Sequence, residues 1–201
     1  MRRIIERVME QPWVYSLWQA PFADAKFSRV QQQLDRRPSR RVLDVGCGPG
    51  TNADRFRGAE YVGVDINERY LAMGRARYPG MFVQADLATD DLAGLGTFDT
   101  IVINSFLHHL PDHILDDVMV RIAARLEPGG VVHILELVLP DRIGLPRLMA
   151  RLDRGRYARG IQAWQDLLER HFEALSVEPY ILGRLWSMLY FQGTTRPCAS
   201  R

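Results

Sequence analysis

Cysteine, lysine and excess charge are all scarce in this chain. Its 201 residues include two cysteines, one lysine among 26 basic residues, and a formal net charge of only +2. Two distant cysteines, Cys47 and Cys198, supply neither a disulfide framework nor a cysteine-based metal site. So small a net charge argues against nucleic acid as a partner, because phosphate binding calls for a marked excess of basic residues. Lys26 is the single lysine, so arginine carries the positive charge, a bias that genome composition explains as readily as function. No apolar run reaches bilayer-spanning length, and the opening "MRRIIERVMEQPW" lacks the apolar centre of a signal peptide. A cytoplasmic protein without a membrane partner is expected, as a monomer or homodimer.

What is present is ordinary for a globular domain: 47% hydrophobic and 25% charged residues, enough for one substantial core. From residue 41 onward, apolar runs alternate with helical patterns. Strands are expected at 42–45, 61–64, 81–83, 100–103 and 131–139. Helices are expected to open at 51–56, to run from a cap at Asn67 to about residue 78, and to start at Asp112. In that last helix Ile114, Val118, Ile122 and Leu126 recur every four residues, and Pro128-Gly129-Gly130 is expected to end it. Such alternation implies an α/β fold with a mostly parallel, doubly wound sheet.

The end of the chain breaks the alternation. After a helix near 161–172, "ALSVEPYIL" and "WSMLYFQG" follow with a very short connection and read as an antiparallel pair. "LYFQG" at 189–193 resembles the end of a protease-cleavage tag, but the preceding residues do not complete one, and it reads as strand. Residues 1–38 form a separate amphipathic segment, a helical cap or lid in which Phe22, Lys26, Val30 and Leu34 share a stripe. A domain of residues 39–201 follows, interrupted at 140–160 by an insert with six arginines. Leu145, Leu148, Met149 and Leu152 are expected to form that insert's buried side.

The most informative stretch is "RRVLDVGCGPGTNADRF", residues 40–56. Gly46, Gly48 and Gly50 follow a short apolar strand directly, where glycine is costly unless the backbone turns sharply or a ligand comes close. In a doubly wound sheet this loop lies where ligands bind, at the carboxyl end of the first strand. Asp65, 21 residues after Asp44, is spaced to accept hydrogen bonds from the ribose of a nucleoside. The glycine pattern differs from the dinucleotide G-x-G-x-x-G, and Pro49 removes a backbone N–H that a pyrophosphate could use.

Taken with its companions, the loop resembles the first motif of class I S-adenosylmethionine-dependent methyltransferases. "YVGVDIN", "FVQADL", "FDTIVINSFLHHLPD" and "LEPGGVVHILE" are similar to the family's later motifs, and "LHHLPD" to its small-molecule branch. The resemblance covers residues 40–139 and the closing strands. It implies a seven-stranded Rossmann-like sheet ending in an antiparallel pair, and S-adenosyl-L-methionine as cofactor, released as S-adenosyl-L-homocysteine. It also implies a small-molecule acceptor. Gly46, Cys47, Gly48 and Gly50 would then line the methionine part, with Asp44 orienting its ammonium. Asp65 would hold the ribose, Ile66 would pack on the adenine, and Asp86 beside Leu87 would accept from the adenine amino group. Asn104 and Ser105 would border the methyl-transfer channel.

In-line transfer from a sulfonium needs alignment and exclusion of water, and a general base where the acceptor carries a proton. His108 and His109 follow strand four and are candidates for that base, as is Glu136 near the end of strand five, expected to face the cleft mouth. His133 reads as a hydrogen-bonded core residue and His113 as solvent-facing. Tyr15, Trp18 and Phe22 are candidates for an aromatic lid or for helix packing, and no metal ligand set is visible. Three rival readings stay open. A nucleic-acid methyltransferase would carry an Asn/Asp-Pro-Pro-aromatic motif where this chain has Asn104-Ser105-Phe106-Leu107, and Pro197-Cys198 lies past the last strand. The others are a nicotinamide-dependent oxidoreductase and a cofactor-binding scaffold without catalysis.

Overall fold

The computed structural model describes residues 12–153 and 155–196, with side chains from residue 22 onward. Seven strands form one sheet: β1 (Arg41–Val45), β2 (Glu60–Asp65), β3 (Met81–Gln84), β4 (Phe98–Asn104), β5 (Leu126–Leu137), β6 (Phe172–Leu182) and β7 (Trp186–Thr195). Their order is β3-β2-β1-β4-β5-β7-β6. The first five strands are parallel, while β7 runs antiparallel to both β5 and β6. This is the doubly wound sheet with an antiparallel finish expected above. "LYFQ" lies wholly within β7, with Leu189, Tyr190 and Phe191 buried against β5. Pro179 falls in β6, at the sheet edge, where a missing N–H breaks no central ladder.

Strand alternation divides the core between two faces. Leu43, Val45, Ile101, Ile103 and Ile134 point to one face, covered by α3 (Asp112–Ala123) through Leu115, Val118 and Met119 and by α5 (Ile161–His171) through Trp164 and Leu168. Val42, Val102 and Leu135 point to the other, covered by α1 (Pro12–Arg36) through Phe27, Val30 and Leu34 and by α2 (Glu68–Arg77) through Leu71. The stripe read at Lys26, Val30 and Leu34 is thus the buried side of α1.

Four local expectations are corrected. The segment after the glycine loop makes a single 3-10 turn, Ala53–Phe56, because residues 46–50 use up the connection in tight turns. The buried stripe of α3 is Leu115, Val118, Met119 and Ile122, and Asp112 is its first residue, with Pro111 as the cap. Leu126 already belongs to β5, where Pro128-Gly129-Gly130 bulge out of the strand between the pairs Phe98↔Leu126 and Thr100↔Val131. The insert forms the short helix α4 (Leu145–Leu152), yet Leu145, Leu148 and Leu152 are exposed and Ala150 is buried in their place. Among the described residues no helix is long and apolar enough to cross a membrane.

Candidate active site

The sheet order reverses direction between β1 and β4, and the carboxyl ends of these two strands part to leave a crevice. A cavity of about 250 Å³ occupies it, lined by Gly46, Gly48, Asp65, Tyr70, Asn104, Ser105, Phe106 and His109. Gly46 and Gly48 both take positive φ, +68° and +55°. A β-carbon on Gly46 would strike the Phe106 ring, whereas one on Gly48 would meet nothing within 4 Å. Gly48 is therefore a bare stretch of backbone facing open space, which suits the close approach of a ligand.

Carboxylates surround this backbone. Asp65 accepts from Gly48 N–H (2.9 Å) through Oδ2 and from Asn67 N–H (2.8 Å) through Oδ1, so it ties the loop to the start of α2. Asp44 lies deeper, almost fully buried, with Oδ2 accepting from the Tyr61 hydroxyl at 2.7 Å. Among the described residues no hydrogen bond of good geometry reaches its Oδ1 or the buried Oδ1 of Asn104, although the Asn52 side chain lies close enough to Asp44 to stabilise its charge. Burial pushes the Asp44 carboxyl up to about 7, even though the Tyr61 hydroxyl and the Asn52 side chain pull it down. A buried acceptor without a donor is costly, and the Asn104 oxygen belongs to a residue of the cavity wall, where a ligand can supply one. A ligand amine fits that need.

Ser105 closes the far wall in a left-handed conformation, φ 54°, that a residue with a β-carbon rarely adopts. Its backbone N–H is held by Leu135 O (2.7 Å) and its hydroxyl by the ammonium of Lys26, which α1 delivers from the other side. Lys26 is buried. Burial pulls its pKa down to about 8, with Glu136 and Asp153 opposing that fall.

The three proposed catalytic groups separate. Glu136 is fully buried and does not face the cleft mouth. Its Oε1 accepts from Phe106 N–H (2.9 Å) and Leu107 N–H (2.6 Å), and its Oε2 pairs with His108 Nδ1 at 2.6 Å. It is buried with its β5 neighbours Ile134, Leu135 and Leu137, because the sheet is covered on both faces. His108 is also buried, with Nε2 3.2 Å from Asp153 Oδ2. Burial opposes a charge on its ring, but Glu136 and Asp153 outweigh that and raise its pKa to about 9. His109 alone of the three lines the cavity, and it is exposed.

Other expected residues sit elsewhere. Cys47 packs inside the core against Gly63, and burial keeps its thiol protonated. Gly50 is needed for its φ of +74° and its contact with Phe82 rather than for the cavity. Leu87 is core, and Asp86 caps its own turn by accepting from Ala88 N–H at 2.9 Å. Ile66, next to Asp65, is 61% exposed, an apolar surface without a protein cover. Phe22 packs among Leu137, Leu182 and Met188, against Gly183, and is helix packing rather than lid. Tyr15 and Trp18 lie in α1 with side chains outside the described residues, as do Pro197 and Cys198 altogether. His133 bonds the Tyr190 hydroxyl (2.9 Å) in the core, and His113 is exposed, both as expected. Arg147 and Arg159 of the insert are spent on local carbonyls and on Asp112.

Sequence reasoning missed Tyr70, Phe106 and Asp153. Asp153 reaches the site from an insert with no motif of its own, and nothing local could have revealed it.

Residues 42–130 match the family profile described as a methyltransferase domain. The chain is 34% identical over 152 residues to a trans-aconitate 2-methyltransferase of Acidovorax sp. (strain JS42), covering 70% of this chain and 54% of that one. It therefore spans about half the length of that relative. With a methyltransferase of Mycobacterium bovis it shares 32% identity over 163 residues, covering 78% of this chain and 77% of the relative. In fold it is similar to the N-methyltransferase NodS from Bradyrhizobium japonicum WM9, solved with S-adenosyl-L-homocysteine. That match has a TM-score of 0.76 at 15% identity, over 97% and 98% of the two chains. Motifs, sheet order and these likenesses agree: the chain belongs to the class I S-adenosylmethionine-dependent methyltransferase family.

Proposed function

We propose that the protein transfers a methyl group from S-adenosylmethionine to a small-molecule acceptor. The observation that carries this reading is the cavity at the carboxyl ends of β1 and β4, where Asp65, Asn104 and Ser105 line the space beside the bare backbone of Gly48. When bound, the cofactor supplies a methyl group on a sulfonium whose thioether is a good leaving group. Asp44 would accept from its ammonium and Asn104 from the same end of the molecule. Asp65, with both oxygens already anchored by backbone N–H groups, would accept from the ribose, and Ile66 would cover the adenine. Asp86 stays the candidate for the adenine amino group.

The chain's own task is then alignment and exclusion of water. Ser105 and Phe106 shape the wall nearest the reacting end, and His109 faces the acceptor. The acceptor to test first is a small carboxylic acid, because trans-aconitate is named for relatives that this chain resembles in part. A carboxylate oxygen is already ionised and needs no base, only a positive partner; a hydroxyl would hand its proton to His109. The modest net charge supports a small molecule over nucleic acid.

Calorimetry with S-adenosylmethionine, S-adenosylhomocysteine and NADH tests the cofactor, and preference for NADH would overturn the reading. Incubation with methyl-labelled cofactor and a panel of small acids, alcohols and amines tests the acceptor. Methyl incorporation into an acid first is the expected outcome. Tight cofactor binding without transfer to any class would favour a scaffold instead.

A further inference from the structure

Three metal-ligating side chains meet beside the cavity, two adjacent in sequence and the third brought in from the distant insert. His108, His109 and Asp153 each offer a ligand atom, and these atoms lie within 4.8 Å of one another. The separation between His108 Nε2 and Asp153 Oδ2 is 3.2 Å. Ligand atoms bonded to one tetrahedral ion at ~2.0–2.1 Å are spaced about 3.3 Å apart, so this pair already stands at coordinating distance. His109 is exposed, and its ring lies 4.4 Å from that of His108 at a 36° tilt.

The surroundings are built as they are around metal-binding histidines. His108 turns its other nitrogen, Nδ1, to Glu136 Oε2 at 2.6 Å, which fixes the ring and aims Nε2 at Asp153, where a bound ion would take the place of the shared proton. Glu136 is itself clamped by the N–H groups of Phe106 and Leu107. Asp153 is held by Gly155 N–H at 2.8 Å, and the backbone of Gly155 presses so closely on His108 that a β-carbon there would lie 1.8 Å from Cδ2. Two imidazoles and one carboxylate from the protein, with an open position toward a cavity, make a donor set suited to zinc, cobalt or ferrous iron rather than magnesium or calcium.

We propose that His108, His109 and Asp153 bind one such divalent transition-metal ion at the acceptor side of the cavity. With neutral imidazoles, the ion and Lys26 outweigh Glu136 and Asp153 by one positive charge, which an anionic oxygen of the acceptor would balance. The open coordination position thus gives a carboxylate or enolate acceptor its positive partner. That role rests on the methyl-transfer reading above, whereas binding of the ion does not.

The test uses the full chain, stripped with chelator and titrated with Co²⁺ as the optical probe. One equivalent should produce the visible d–d absorption of a low-coordinate cobalt site, and Zn²⁺ should displace it. Asp153→Asn and His109→Ala should each weaken cobalt binding by at least roughly 10-fold. S-adenosylhomocysteine affinity, measured on the same samples, reports separately on the fold and on the cofactor reading. His109→Ala, at an exposed position, keeps the test alive if Asp153→Asn does not fold. Absence of a stoichiometric cobalt band, or a band unchanged in both variants, would overturn the site and leave His108 and Asp153 as a plain ion pair.

Discussion

Asp44 makes cofactor binding a proton-coupled event. In the cofactor-free protein its buried carboxyl titrates near 7, so about half of the molecules are protonated there at neutral pH. An ammonium placed at Oδ1 requires the ionised form, and protonation must compete with it. The ammonium itself stays largely charged up to about pH 7, below the ~7.7–8.0 at which α-amino groups titrate, so the Asp44 slope is read below that point. The apparent Kd should therefore rise about 2-fold above its limiting value at pH 7 and roughly 30-fold at pH 5.5. Calorimetry with S-adenosylhomocysteine from about pH 5.5 to 7, below the titration of the ligand's own amine, measures this slope. Repeating it at pH 7 in buffers of different ionisation enthalpy counts the proton released, expected near one half.

Asp44→Asn should abolish the slope. It should also weaken binding at pH 8 by about 10–150-fold, the equivalent of one charge-assisted hydrogen bond of about 1.5–3 kcal/mol. Wild type and variant should converge at low pH. The same group acts on stability. Its folded pKa is raised, so between pH 3.8 and 7 the native state binds more protons than the unfolded chain. Stability without cofactor therefore falls as pH rises through that window, by up to roughly 4 kcal/mol at about 1.36 kcal/mol per unit. A Kd flat to within about threefold from pH 5.5 to 7 would refute the assignment of Asp44 to the ammonium.

Further outcomes follow from the same geometry. Asp65→Ala removes the acceptor for the ribose and the anchor of Gly48 and Asn67; S-adenosylhomocysteine affinity should drop about 100-fold by calorimetry, two hydrogen bonds' worth. Glu136→Gln breaks a buried pair and should cost about 3–5 kcal/mol, a fall of roughly 6–20 °C in Tm by calorimetric scan. His108 has a raised folded pKa, so its stabilisation is complete below pH 6.5 and fades as pH rises toward 9. Lys26, lowered to about 8, offsets that loss only above pH 8. Wild-type Tm should thus decline between pH 6.5 and 8, and less steeply in Glu136→Gln. Gly155→Ala drives a β-carbon into the His108 ring and should cost about 1–3 kcal/mol in a urea melt. Gly94→Ala, with nothing near its β-carbon, should stay within about 0.5 kcal/mol.

Local chemistry made much of this protein legible from its residues. Alternating apolar runs announced the sheet, and Asn67 capped α2 as its side chain predicts, accepting from Arg69 N–H. The glycines at 46 and 48 marked the cavity because no other residue takes that backbone shape so cheaply. Asp65, Asn104, Ser105 and His109 line one cavity because strand ends in this fold converge on one crevice, so position along the chain translates into position in space. What the sequence could not reveal were distances between segments that share no local pattern. Two adjacent histidines look alike in "LHHLPD", yet β5 supplies a buried carboxylate to the first, and the turn after α4 supplies a second. His109 is left at the cavity. Glu136 looked like a cleft residue, yet it is fully buried and held by His108 and the N–H groups of Phe106 and Leu107. Lys26 showed its helical face but not its target, because only tertiary packing brings α1 across to Ser105. Periodicity says which face of an element is buried. Which charges then meet inside is settled by the crossing of elements, where burial makes every unpaired one expensive.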